Sequence, residues 1–313
     1  MDSRNLEFCI VVPTVERPSH MMECLKSVKE QSLPPSEVII VDDGGGVKEN
    51  EKTVRDLLGG GMTVTVTTSD GKPSTSNARN TGATKANSEI IVIIDDDVVL
   101  GRNYINRLHN IYTKYTQVAG VGGFDPDLRH RTALERIFNR VFLLVSESWK
   151  INELGSHGWD PSIKQPVESD WLSGNNASYR RNVLIENEFV HWEGGREPLE
   201  DIEMGWRLKR KNKTLMIDPE LELRHKEAEG SEGEIEFGIK RGKNRVRIFR
   251  EHGNNLYSIL FVWCMLGEVL RHLLAPLIDG EFQRHVKTGI GMGVGATYQI
   301  LKPLVSVVSS NTG

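Results

Sequence analysis

Five short apolar runs recur through the first part of the chain: Phe8–Val12, Val38–Val41, Met62–Val66, Ile90–Ile94 and Val118–Val121. They are rich in Val and Ile and short enough to be strands. Helix-like stretches lie between most of them. In Ser19–Glu30, for example, Met22, Leu25 and Val28 recur every three residues. Strands alternating with helices predict an α/β fold, a mostly parallel sheet covered on both faces. Residues 123–170 carry tryptophans without a clear period and read as loops and short elements over a site. A helix is predicted from Glu200 to Lys211 through Ile202, Trp206 and Leu208, then short strands at Thr214–Ile217 and Leu221–Leu223. A second long helix, Glu232–His252, has Ile235, Ile239, Val246 and Phe249 on one side and Lys240, Lys243, Arg247 and Arg250 on the adjacent one.

The pattern changes after residue 253. Leu256–Leu266 is free of charge, and the apolar stretch runs on to Ile278, broken only by Glu268, Arg271 and His272 on one helical face. A central Glu or Arg costs about 2.5–3.5 kcal/mol on membrane insertion, so an amphipathic helix docked on a membrane surface fits better than a spanning one. A helix packed on the domain or in a dimer is the plainer alternative. Gly289–Ala296 matches G-x-G-x-x-A only formally, since it follows no clear strand. Its glycines also permit close helix approach. The expected organisation is a catalytic domain over 1–253, with halves at about 1–122 and 123–253, and an apolar helical extension over 254–313.

Composition narrows the function classes. The 313 residues carry 39 Lys+Arg against 43 Asp+Glu, a formal charge of −4, which gives no reason to expect a nucleic-acid partner. Cys9, Cys24 and Cys264 are far apart and odd in number, which fits a reducing compartment. Phe8–Val12 is too short for a signal peptide, so a cytoplasmic protein associated with the inner face of the membrane is expected.

In parallel sheets ligands bind beyond the carboxyl ends of the strands, and there the polar residues cluster. The first run ends in Pro13-Thr14, the second in Asp42-Asp43-Gly44 and the fourth in Asp95-Asp96-Asp97. Three adjacent carboxylates repel one another, so a hard divalent cation is the natural compensation. In an extended segment Asp95 and Asp97 share a side and Asp96 lies opposite. A solvated acidic turn is the alternative. Asp43 can accept from a nucleobase or a ribose, although Asp-Asp-Gly alone is also a turn.

Taken in order, Val11-Val12-Pro13-Thr14, Val41-Asp42-Asp43-Gly44, Asn77-Ala78-Arg79-Asn80-Thr81-Gly82 and Ile94-Asp95-Asp96-Asp97 resemble the family 2 glycosyltransferases over roughly Phe8–Arg250. The resemblance implies a GT-A fold: a mixed, mostly parallel sheet with flanking helices, here with a C-terminal helical extension. It implies that Pro13 and Thr14 line the nucleoside pocket, Asp43 contacts the base and Arg79 lies near the nucleotide. Asp95 and Asp97 would hold Mn²⁺ or Mg²⁺ on the donor diphosphate, with Asp96 a second candidate for the ribose. Trp171, Gly174 and Asn175 resemble the acceptor and donor-sugar segment, where an exposed Trp171 would stack on a sugar, unless it is a core residue. Glu200-Asp201 resembles the Glu-Asp motif whose Asp is the catalytic base of inverting enzymes. His225 stands where many such enzymes place a further metal ligand.

A Gln-x-x-Arg-Trp motif, which marks processive synthases, is not found, which implies transfer of a single sugar. The expected reaction takes a sugar from a nucleoside diphosphate donor, uridine-based, to an acceptor hydroxyl. The acceptor would be a lipid-linked saccharide in glycoprotein or cell-surface glycan assembly. The basic face of Glu232–His252 and the cluster Arg207, Lys209, Arg210, Lys211 and Lys213 would meet diphosphate or lipid headgroups, or solvent. Two other readings remain: a catalytically degenerate scaffold subunit, and a sugar-1-phosphate nucleotidyltransferase, whose Gly- and Arg-rich loop Pro13-Thr14-Val15-Glu16-Arg17 does not match.

Overall fold

The structure is a computed structural model that describes residues 6–15, 18–47, 51–124, 132–226, 233–276 and 281–310. Glu16 and Arg17, singled out in the sequence, lie outside the described residues, as do Glu232, where the long helix was expected to begin, and Ile278, the end of the apolar stretch. The chain forms two compact units. One comprises Met1–His130, Asp160–Gly195 and Glu200–Glu229, the other Arg131–Trp159, Arg196–Leu199 and Gly230–Gly313.

The first unit is built on strands β1 (Phe8–Thr14), β2 (Glu37–Asp42), β3 (Thr63–Thr67), β4 (Ile90–Ile94), β6 (Gly120–Gly122), β7 (Val167–Ser169), β8 (Asn176–Arg180) and β9 (Leu215–Ile217). They form one sheet in the order β3-β2-β1-β4-β8-β6-β9-β7. β3, β2, β1 and β4 are parallel, whereas β8 runs antiparallel to both β4 and β6, so the sheet is mixed. Four of the five apolar runs lie within or largely within a strand; Val118–Val121 only overlaps β6. β1, β2 and β4 are almost entirely buried, as expected for strands without polar alternation. Helices α1 (Pro18–Lys29), α2 (Glu51–Leu58), α3 (Thr75–Lys85), α4 (Tyr104–Lys114), α6 (Arg181–Glu186) and α7 (Glu200–Arg210) belong to this unit.

Register brings the acidic strand ends together. Thr14 pairs with Asp42 across β1 and β2, and Val11 lies between Ile39 and Ile93. α3 lies unusually close to β1, because a Cβ on Gly82 would sit 2.2 Å from Val11 Cγ1. That approach places Arg79, one turn earlier, at the strand ends. A separate two-stranded ladder joins β5 (Val98–Leu100) to β10 (Leu223–His225) with His225 opposite Val98.

The second unit contains α5 (Ala133–Val141), α8 (Glu234–His252), α9 (Ser258–Leu274) and α10 (Phe282–Ser310). The break expected near 253 falls inside this unit, because α8 packs tightly on α10. A Cβ on Gly242 would lie 2.2 Å from the Met292 carbonyl, and one on Gly295 would lie 2.1 Å from that of Ile239. Gly291 and Gly295 thus serve helix contact. Phe249 and Phe261 stack at 4.0 Å within a small core that includes Leu144, Leu154, Val246 and Met265.

The basic side chains of α8 are largely engaged here. Lys240 is buried 3.8 Å from Glu236, Lys243 lies over the Tyr298 ring, and Arg250 donates to the carbonyls of Gln299 and Ile300. In the first unit Arg207 is likewise paired with Glu203, Lys209 with Asp170, and Lys211 with Asn187. Neither set stands as the free cationic face that the sequence offered.

A buried ion pair of the second unit centres on Arg245, which donates to Glu268 Oε1 (2.8 Å) and to the Leu154 carbonyl (2.7 Å). Burial opposes ionisation of Glu268, but Arg245, Arg241 and Arg271 hold its pKa down at about 2. A depressed carboxyl contributes stability above its ordinary pKa and loses it as pH falls through the folded value, here between about 4.5 and 2. Glu268→Gln should therefore destabilise the protein by about 3–5 kcal/mol at neutral pH in denaturant titrations, with the deficit shrinking towards pH 2.

Candidate active site

Asp95-Asp96-Asp97 connects β4 to β5 as a turn, closed by Val98 N–H donating to the Asp95 carbonyl at 3.2 Å. The alternation expected of an extended segment therefore does not hold, and the three carboxylates go to three different partners. Asp95 faces Arg79 (3.2 Å), Asp96 accepts from Thr14 Oγ1 (2.6 Å), and Asp97 meets His225 Nε2 (3.2 Å). The β5–β10 ladder delivers His225, and Lys226 N–H fixes it by donating to the Asp97 carbonyl (2.9 Å).

The Asp97–His225 pair suits a divalent ion. A carboxylate oxygen and an imidazole nitrogen are both donors for Mn²⁺. Adjacent corners of an octahedron with bonds of about 2.0–2.1 Å lie about 2.9 Å apart, close to the spacing observed. Asp95 faces the other way, towards Arg79, although it belongs to the same turn.

Arg79 is the centre of the second cluster. Only 2% exposed, it donates to Glu200 Oε1 at 2.5 Å and to Asp95 Oδ1. Burial works against its charge, and Asp95 and Glu200 more than compensate, so its pKa lies above the ordinary arginine value. Expected near the nucleotide, it is enclosed by protein and joins the two carboxylates. Burial and the neighbouring Asp201 push Glu200 up to about 7, against the pull of Arg79.

Gly174 lies over this ion pair. A Cβ there would sit 2.9 Å from both Arg79 Nη1 and Glu200 Oε1. Its N–H donates to Asp201 Oδ2 (3.1 Å), and Asp201 Oδ1 accepts from the Ile202 N–H (2.8 Å). Asp201 is thus held as an acceptor at the amino end of α7, where the helix favours its negative charge. Asn175 adjoins the acidic turn through its carbonyl, which accepts from Asp95 N–H (3.1 Å), while its side chain accepts from Ser173 Oγ (2.8 Å).

Trp171 corrects an expectation. At 8% exposure it is buried against α7, where a Cβ on Gly205 would touch it at 2.8 Å, so its ring does not present the open face that sugar stacking needs. Pro13 remains half-exposed at the end of β1. Asp43 stands on the same rim, and its carboxylate accepts from the Ser69 N–H (2.8 Å) and hydroxyl (2.7 Å). Asp42, by contrast, caps its own turn through Gly44, Gly45 and Val47. Ser69 and the glycine role of Gly174 escaped the sequence reading. Nothing in Thr-Ser-Asp flags Ser69 before the fold is known, whereas the glycine within Ser-Gly-Asn was a visible signal.

Residues 9–161 match the family model described as Glycosyl transferase family 2. Among curated proteins, the chain is 24% identical over 245 residues to Glycosyltransferase GlyG of Streptococcus pneumoniae, covering 77% of each chain. It is 29% identical over 183 residues to Glucosyl-dolichyl phosphate glucuronosyltransferase of Haloferax volcanii, covering 58% of this chain and 55% of that one. Among solved structures it shares the fold of the mannosyltransferase PcManGT from Pyrobaculum calidifontis, in complex with GDP-Man and Mn²⁺, with a TM-score of 0.53 and 18% identity. That match covers 98% of this chain and 79% of the other.

Two outcomes follow from this geometry. Gly174→Ala should displace the Arg79–Glu200 pair and lower kcat/KM at least about tenfold with little change in fold, as kinetics and circular dichroism will show. Because the Glu200 pKa is raised, its carboxylate takes up a proton as pH falls through about 7. The rate should fall on that acid limb, and Glu200→Gln should be slower throughout and lack the limb.

Proposed function

We propose that this chain, a family 2 glycosyltransferase by the match of residues 9–161, acts on a nucleotide-sugar donor as an inverting, non-processive enzyme, with Asp201 as the base that deprotonates the acceptor hydroxyl. The observation that carries this reading is the placement of Asp201. Two N–H groups hold it, from Gly174 and from Ile202 at the start of α7. The attacking oxygen must lose its proton as it displaces the nucleoside diphosphate, and a carboxylate kept ionised by a helix N-terminus is suited to take it.

Pro13, Thr14 and Asp43 would line the nucleoside end of the donor site, with Asp96 held by Thr14 for the ribose. Asp97 and His225 would hold Mn²⁺ or Mg²⁺, with Asp95 close by, and the bound ion would offset the charge gathering on the leaving diphosphate. Gly174 and Asn175 would border the sugar. The mannosyltransferase of like fold holds GDP-Man and Mn²⁺, in keeping with a diphosphate donor and a metal. We take the donor to be a uridine diphosphate sugar. The acceptor would be a lipid-linked saccharide at the cytoplasmic face of a membrane, a reading supported by the relative that acts on glucosyl-dolichyl phosphate.

The test is a panel of nucleotide sugars with Mn²⁺, followed by calorimetry and nucleotide release. One donor should bind and turn over only with metal. Asp201→Asn should abolish transfer, a loss of at least about a hundredfold, while donor affinity stays within about twofold. Undiminished turnover in Asp201→Asn, or in the presence of excess chelator, contradicts the mechanism.

A further inference from the structure

Two helices of the second unit turn an apolar stripe outward. In α9 the exposed side chains include Ile259 (85%), Val262 (56%), Trp263 and Leu266 (47%), continuing to Leu273, at the spacing of one helical stripe without a charge. Its polar residue Glu268 is turned inward beside Phe261, Cys264 and Met265, and is 6% exposed on Arg245. The insertion cost that the sequence assigns to Glu268 is therefore not met on the outward face. α5 shows the same inversion: Leu134 (72%), Ile137 (62%) and Val141 stand out, and Asn139 is buried.

The two stripes adjoin. Trp263 stacks on Phe142 at 4.7 Å, and its indole N–H donates to the Val141 carbonyl (2.9 Å), which leaves it no unmet donor in an apolar phase. Arg136 and Arg140, both exposed, lie one turn apart on the flank of the α5 stripe. Burial of apolar side chains drives helix packing in water, so an outward stripe of this kind calls for an apolar phase outside the protein. Cations along its edge match phosphate headgroups. Asn255–Leu274 is by length and composition apolar enough to cross a membrane, with a mean hydropathy of 1.4. α5, with nine residues, is far too short to cross. Both helices can share one surface only if they lie flat.

We propose that α5 and the outward stripe of α9 together seat this unit in the interfacial layer of an anionic bilayer, with Arg136 and Arg140 at the level of the lipid phosphates. This rests on the membrane reading given above and adds to it a helix from the stretch expected to hold loops and short elements.

The full-length protein is floated with vesicles of phosphatidylcholine alone and of phosphatidylcholine mixed with phosphatidylglycerol. Wild type should bind the mixed vesicles. The double variant Leu134→Glu with Ile137→Glu should bind at least about tenfold more weakly, and Ile259→Glu with Leu266→Glu likewise. Arg136→Gln and Arg140→Gln should each cost about fivefold on anionic vesicles and nothing on neutral ones. All these side chains are exposed, so circular dichroism and thermal unfolding should match wild type. If the α5 variants bind like wild type while the α9 variant does not, the role of α5 is refuted and membrane docking stands. No binding by wild type refutes the membrane reading itself. A wild-type dimer that ignores vesicles and is split by the same substitutions would make a second copy the occupant, and would overturn the proposal.

Discussion

A guanidinium sealed from water costs several kcal/mol unless it is matched by charge and hydrogen bonds, and Arg79 is matched by two carboxylates from distant parts of the chain. Asp95 leaves the sheet at the end of β4, and Glu200 opens α7. One buried cation thus fixes the acidic turn against the helix that carries Asp201. The arrangement depends on two glycines. Gly82 lets α3 settle onto Val11 and so sets the height of Arg79, and Gly174 passes over the finished ion pair with no room for a side chain. Substitution at either position would be felt at the site through Arg79.

The motifs were legible in sequence because each is local. Apolar runs largely became strands, and polar residues at their ends collected on one rim through parallel register. What was not legible depended on partners far along the chain. A period-two argument set Asp95 and Asp97 side by side, but the triplet bends, and only the fold shows that Asp97 turns to His225 while Asp95 turns to Arg79. Trp171 could be exposed or core until α7 was placed over it. α5 is one of the short elements expected within 123–170, but nine residues are too short a window for its apolar stripe to show as a period. Spacing puts the three polar residues of α9 on one face, but only the fold shows that Glu268 turns inward to Arg245.

The site and the second unit show two uses of buried charge. In the first unit, Asp95, Arg79 and Glu200 are linked next to groups that can still accept a proton or a metal. In the second, Arg245 and Glu268 pair inside a helical core, and this lets α9 turn its apolar stripe outward. The same chemistry orders a reactive centre in one place and frees an apolar surface in the other.

The central claim is that Arg79 couples Asp95 of the acidic turn to Glu200 at the head of α7. Asp95→Asn and Glu200→Gln, alone and together, form a double-mutant cycle in kcat/KM, run with Arg79 and again with Arg79→Met. The two effects should be non-additive by about 0.5–3 kcal/mol with the arginine present and additive without it. Additivity in both backgrounds, or a coupling that survives loss of the arginine, would contradict the account.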